Sequence, residues 1–200
     1  MTITKSINAF LFFLPFWSTA APIPDDVSNP AFSVMAIHSA SPIHYMQMNA
    51  QGLKLWLGGQ TSSYCPDMIT DCPAGTRTVF SPGGNSLCTD RKQDVEVPGG
   101  QQVYVTSSGA LSFTQAHSAS IPEGSHIGGF AYEPGKPWAH YVYNGWNTTG
   151  LMACPTEDKR WQVFSAAQNA TVPLGNVNDC LSFSTIALTY DGVVPAWQYI

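Results

Sequence analysis

The chain has 200 residues, with a hydrophobic fraction of 44%, an aromatic fraction of 12% and only 10% charged residues. That length suits one domain with its own core, and the charged fraction is far below the roughly 25% of an average globular domain. Eight Lys and Arg stand against 13 Asp and Glu, for a net charge of −5. These counts exclude a basic nucleic-acid footprint, because too few cations are present to neutralise a row of phosphates. They also exclude an acidic disordered tail, and they argue against a helical bundle, whose wet faces carry many Lys, Glu and Arg.

Lys5 followed by the apolar run 9–17 (AFLFFLPFW) and the small residues Ser18 and Ala20 forms a secretory signal pattern. The run is too short for the ~20 residues of a membrane span. Residues 1–20 are therefore expected to be removed after Ala20, and the net charge becomes one unit more negative with the loss of Lys5. Residues 21–31 read as an extended, Pro-rich leader, and 32–200 as a single all-β domain. No later stretch reaches membrane-spanning length, so no membrane contact is expected after cleavage.

Secretion sets the chemistry of the five cysteines. In an oxidising compartment disulfides are the default. Cys65 pairs with Cys72 across a turn-rich loop, Cys154 with Cys180, and Cys88 is left over. The close paired spacing of a zinc site is missing. Asn147-Thr148-Thr149 and Asn169-Ala170-Thr171 are N-glycosylation sequons between strand-like runs, where a sugar is tolerated.

From Phe32 on, the chain reads as short strands. Phe32–His38, Ile43–Met48 and Leu53–Leu57 come first, with Asn49 to Gly52 as a turn between the last two. LKLWL alternates, placing Leu53, Leu55 and Leu57 on one face and Lys54 and Trp56 on the other. Residues 60–76 form a Cys/Pro/Asp loop. Arg77–Phe80 and Ser86–Cys88 flank another turn. Gln102–Thr106 and Leu111–Thr114 form a hairpin around Ser107-Ser108-Gly109. Gly128–Glu133, His140–Tyr143, Leu151–Cys154, Trp161–Ser165, Leu181–Tyr190 and Pro195–Ile200 complete the series. Segments 44–59, 102–115 and 140–155 echo one another: an aromatic strand, a turn with Gly52, Gly109 or Gly150, then a strand opening on Leu. Three such units suit a compact β-trefoil-like barrel, with an antiparallel β-sandwich as the alternative.

Chemistry-bearing patterns are sparse. G-x-S-x-G does not occur, and Ser107 and Ser108 sit in an ordinary hairpin turn. Glu96, Glu123, Glu133 and Glu157 stand in polar or Pro-rich turns rather than as a pair flanking a cleft. His38, His44, His117, His126 and His140 are scattered, and a chain starting at Ala21 offers no N-terminal histidine ligand, so no metal, cofactor or catalytic residue is expected. Trp138 and Trp146 lie in the loop EPGKPWAHYVYNGWNTTG, where a core role is less automatic, and are candidate glycan contacts.

The segments AIHSASPIHYMQMNAQGLKLWLGG (36–59), PGGQQVYV (98–105), LSFTQAHSASIP (111–122) and LMACP…WQVF…DC (151–180) resemble a family of secreted fungal cell-wall and IgE-binding-type proteins that includes the phialide-associated cell-wall protein. The resemblance runs over residues 32–200. It implies a small secreted protein held in or shed from the wall, associated in some members with conidium-forming cells and in others recognised by IgE, with no enzymatic activity. Cys154 and Cys180 match the family's late cysteine pair, and Cys88 departs from its pattern. The partners so implied are wall polysaccharide or glycoprotein. A lectin-like glycan-binding module is the alternative.

Overall fold

The computed structural model describes residues 29–87, 100–145, 147–192 and 195–200. The expected signal peptide, the leader up to residue 28, Cys88 and Trp146 lie outside the described residues.

Among the described residues fifteen strands run in chain order: β1 (Phe32–Ile37), β2 (Met48–Gln51), β3 (Lys54–Leu57), β4 (Ser63–Tyr64), β5 (Ser86–Leu87), β6 (Gln101–Val105), β7 (Leu111–Phe113), β8 (His126–Ile127), β9 (Phe130–Glu133), β10 (His140–Gly145), β11 (Thr148–Thr149), β12 (Leu151–Pro155), β13 (Trp161–Ser165), β14 (Leu181–Thr189) and β15 (Gln198–Tyr199). One short 3-10 turn, Val177–Asp179, is the single helical element among the described residues. Every named strand pairing is antiparallel.

Ten strands make one large sheet, ordered β1-β14-β12-β13-β3-β7-β6-β5, with β2 added beside β3 and β8 beside β6. A three-stranded sheet β11-β10-β9 and a ribbon β15-β4 pack with it. The all-β reading holds, and of the two architectures it allowed, the antiparallel sandwich fits. Among the described residues no barrel closes, and the reason lies in the third of the echoing segments. Segments 44–59 and 102–115 are true hairpins, β2–β3 and β6–β7. Segment 140–155 instead splits: β10 pairs with β9 in the small sheet, while β12 pairs with β13 and β14 in the large one. Gly150 is thus a crossing point between sheets rather than a hairpin turn.

Alternation decides which face of each strand is dry. Val34, Leu55, Leu57, Val103, Val105, Leu111, Phe113 and Val163 point to the main core, where they meet Phe130, Tyr141 and Tyr143 of the small sheet. Phe32 is the aromatic hub, with ring centroids of Phe80, Tyr132 and Tyr141 at 5.6, 5.0 and 5.6 Å. Gly84 has φ +82°, and a Cβ there would stand 2.7 Å from Tyr141 Cε2, so only glycine allows the tyrosine ring this close. The two sheets are joined by Thr185 of β14, whose hydroxyl accepts from Tyr141 N at 2.8 Å and donates to Tyr141 O at 2.7 Å.

The opposite face of the large sheet carries a smaller apolar cluster: Ala110, Met152, Cys154, Phe164 and Val172, with Ala170, Val177 and Cys180 against it. Segment 166–180 covers this patch and is tied down by the Cys154–Cys180 disulfide, with Cα atoms 4.2 Å apart. The second disulfide, Cys65–Cys72, closes the loop after β4.

Two local expectations change. The turn placed at Asn49 to Gly52 begins later: Asn49, Ala50 and Gln51 are strand, and the reversal falls at Gly52 and Leu53, both at positive φ. Leu53 is consequently exposed instead of joining Leu55 and Leu57 in the core. Ile43 is fully buried, yet it belongs to a turn, with Met46 N donating to its carbonyl at 3.1 Å.

Candidate functional site

Trp138 is 53% exposed, an uncommon position for an indole, which ordinarily buries most of its surface. Its loop is held at both ends. Glu133 pairs with His140 across β9 and β10. On the other side Ala187 N donates to Ala139 O at 2.8 Å, and His140 Nδ1 lies 2.6 Å from Thr185 O. A shallow pocket of about 310 Å³ lies beside the indole, lined by Tyr132, Pro134, Pro137 and Leu188 among others. Tyr132 is held by its contact with the Phe32 ring. The result is an exposed aromatic plate on a fixed backbone.

A second surface was not visible in the sequence. Lys54 and Trp56 of β3, Ser112 of β7 and Gln162 of β13 share the sheet face away from the main core and line a groove of about 650 Å³. The rim on one side is the turn Thr156–Arg160, and on the other Thr171 to Pro173. Arg160 lies over the Trp56 ring at 3.9 Å from its centroid. Its Nε donates to Asp158 Oδ2 at 2.6 Å and its Nη1 to Gln51 Oε1 at 2.8 Å. Trp56 Nε1 donates to Gln51 O at 2.9 Å, so the indole is fixed at both its face and its edge. The Thr156 hydroxyl donates to the Asp158 carboxylate, and that bond, with the one from Arg160, holds the carboxyl below its ordinary pKa. The signal that would have found the groove is the alternation Lys54-x-Trp56 read together with Ser112 and Gln162, four residues whose common face depends on β3, β7 and β13 being neighbours.

Glu157 and Asp158 are consecutive on one rim of the groove, Glu123 and Glu133 are exposed, and Glu96 lies outside the described residues. Among the described residues no three His, Cys, Asp or Glu side chains are grouped to hold a metal ion. His44 Nδ1 accepts from His38 N at 3.2 Å, which accounts for the proximity of that pair. Among the described residues no helix is long and apolar enough to cross a membrane.

Both sequon asparagines are exposed, and they line one pocket of about 410 Å³. Ser107 and Ser108, the hairpin serines, border the same pocket. Of the two candidate glycan-contact tryptophans, Trp138 is on the surface, and Trp146 lies outside the described residues.

Residues 32–200 match the family described as PhiA-like secreted protein. The chain is also 46% identical over 195 residues to an uncharacterized secreted protein of Arthroderma benhamiae, covering 94% of this chain and 95% of that protein. No solved structure matches it. With a family match over the entire strand-bearing region and a full-length secreted relative, the chain belongs to the PhiA-like secreted protein family.

Proposed function

We propose that this secreted fungal protein is a non-catalytic, N-glycosylated component of the cell wall that holds wall polysaccharide without transforming it. The observation that carries the reading is Trp138, an exposed indole on a loop fixed by hydrogen bonds to β14 and flanked by a pocket. A flat apolar plate with polar groups around it is what a sugar ring face requires. Low charge suits a neutral polymer as partner, and two disulfides suit persistence outside the cell.

The non-catalytic reading draws support from two carboxylates at the groove. Asp158 is committed to Thr156 and Arg160, and Glu157 stands beside it on the same rim rather than opposite. The groove over Trp56 offers a second place where the same polymer can be held, since hydroxyl and amide groups of Ser112, Thr106 and Gln162 line it. The family resemblance extends the reading to wall formation in conidium-forming cells and to recognition by IgE.

The test is co-sedimentation of the purified protein with insoluble β-glucan and chitin, alongside glucanase extraction of purified walls. Retention of the wild-type protein, loss of retention in Trp138→Ala and the absence of released sugar support the reading. Free passage of the wild type past every wall polymer, or liberated oligosaccharide, overturns it. Phenotyping of a deletion strain and IgE immunoblotting test the two extensions.

A further inference from the structure

Asn147 follows β10 and Asn169 follows β13, yet both line the same pocket. Three chain segments are drawn together there. Thr171 N donates to Ser108 O at 2.9 Å and Ser165 N to Gly109 O at 2.9 Å, which fixes segment 165–171 against the β6–β7 hairpin. Ala166 N donates to Gly150 O at 3.1 Å, which brings in the end of the first sequon loop. Gly109 makes the close approach feasible: a Cβ on it would stand 3.0 Å from Ala170 Cβ. Backbone hydrogen bonds thus hold together the three segments that form the pocket.

We propose that this pocket is the seat of the chain's own N-linked glycan cores, so that the first N-acetylglucosamine on Asn147 or Asn169 packs into it instead of projecting freely. The inference rests on the glycosylated reading above and adds where the sugars lie. Its lining matches the chemistry of that residue. Gly109, Ala166, Ala167 and Ala170 offer an apolar surface to the acetyl methyl and the ring face, while Ser107, Ser108 and Gln168 offer hydroxyl and amide groups at the margin. The occupant is specified by attachment: a sugar linked to either asparagine is tethered at the pocket wall, which raises its local concentration there without any affinity for free sugar. Two glycans rooted in one pocket also compete for it, so one core is seated more fully than the other.

The experiment uses the full-length protein secreted by a glycosylating eukaryotic host. Mass spectrometry gives occupancy at Asn147 and Asn169, and NMR on the folded glycoprotein seeks contacts between the acetyl methyl and the methyls of Ala167 and Ala170. Contacts are expected, together with release by a peptide N-glycosidase that is at least severalfold slower from the native protein than from the unfolded chain. Asn147→Gln and Asn169→Gln show which core is seated, and Ala167→Leu, filling the pocket, is expected to abolish the contact to the Ala170 methyl while leaving occupancy unchanged. Occupied sites whose sugars touch neither alanine overturn the seating alone. Bare asparagines at both positions overturn the glycosylated reading as well.

Discussion

Gln101 and Tyr199 are joined in both directions: Gln101 Nε2 donates to Tyr199 O at 3.0 Å, and Tyr199 N donates to Gln101 Oε1 at 2.7 Å. The glutamine amide thus stands in for a neighbouring strand, and it is 1% exposed while doing so. Its second Nε2 proton goes to Thr114 O at 2.8 Å. The Tyr199 hydroxyl accepts from Val79 N and donates to Arg77 O, both at 3.0 Å. The C-terminal strand is fastened to the body of the domain by side-chain amide and phenol groups as well as by its short ribbon with β4. Replacing Gln101 by Leu keeps the bulk but removes three buried hydrogen bonds, two to the Tyr199 backbone and one to Thr114 O, for an expected loss of about 2–4 kcal/mol. Urea unfolding measures it, and a loss under about 0.5 kcal/mol would mean that the terminus detaches without cost.

Removing the Cys154–Cys180 bridge with paired Ala substitutions is expected to cost about 3 kcal/mol, since it closes a loop of 26 residues. The effect is local as well as global. Segment 166–180 covers the Met152–Phe164 patch, so its release exposes apolar surface and opens the segment to protease. Limited proteolysis should cut between 166 and 180 in the variant and leave the wild type whole.

Tyr141 gives the fold an alkaline limit. Its side chain is buried and its hydroxyl donates to Gly84 O at 3.0 Å. Burial pushes its pKa well above the ordinary value of 10.0, and burial raises Tyr143 too. The folded state therefore keeps the proton at a pH where the unfolded chain releases it. Stability from these groups is complete below about pH 10 and declines as pH rises beyond it towards the folded-state pKa. Absorbance titration of phenolate should show the buried pair, Tyr141 and Tyr143, ionising together with unfolding. A Tyr141→Phe variant shows a smaller alkaline loss. Ionisation of Tyr141 and Tyr143 in an intact fold would contradict this.

Trp138→Ala should leave thermal stability within about 0.5 kcal/mol, as a substitution of a half-exposed side chain outside both apolar clusters does. Trp56→Ala should cost more, because Trp56 is 8% exposed and carries Arg160 on its face and a hydrogen bond from its edge. Loss of polysaccharide retention in the first variant with normal melting assigns the contact to the Trp138 loop. Loss only in the second assigns it to the groove.

What was legible in the chain was the information that is local. Alternation in LKLWL, QVYV and WQVF marks strands, because neighbouring side chains in a strand face opposite ways. The short spacing of Cys65 and Cys72 marks a loop, and the sequons and Trp138 stand among turn-forming residues. The all-β class follows from these signals alone.

Which strands become neighbours is not local, and only the tertiary structure decided it. The repeated form of 140–155 matches the other two hairpins, yet β10 pairs with β9, and there Tyr141 packs on Phe32 and Phe130 and Tyr143 on Phe130. That pairing breaks the three-fold pattern and leaves a sandwich. It also sets Asn147 beside Asn169, and Lys54 and Trp56 beside Ser112 and Gln162. A sequence fixes which face of a strand is apolar, but the choice of partner rests on burial summed over the entire core.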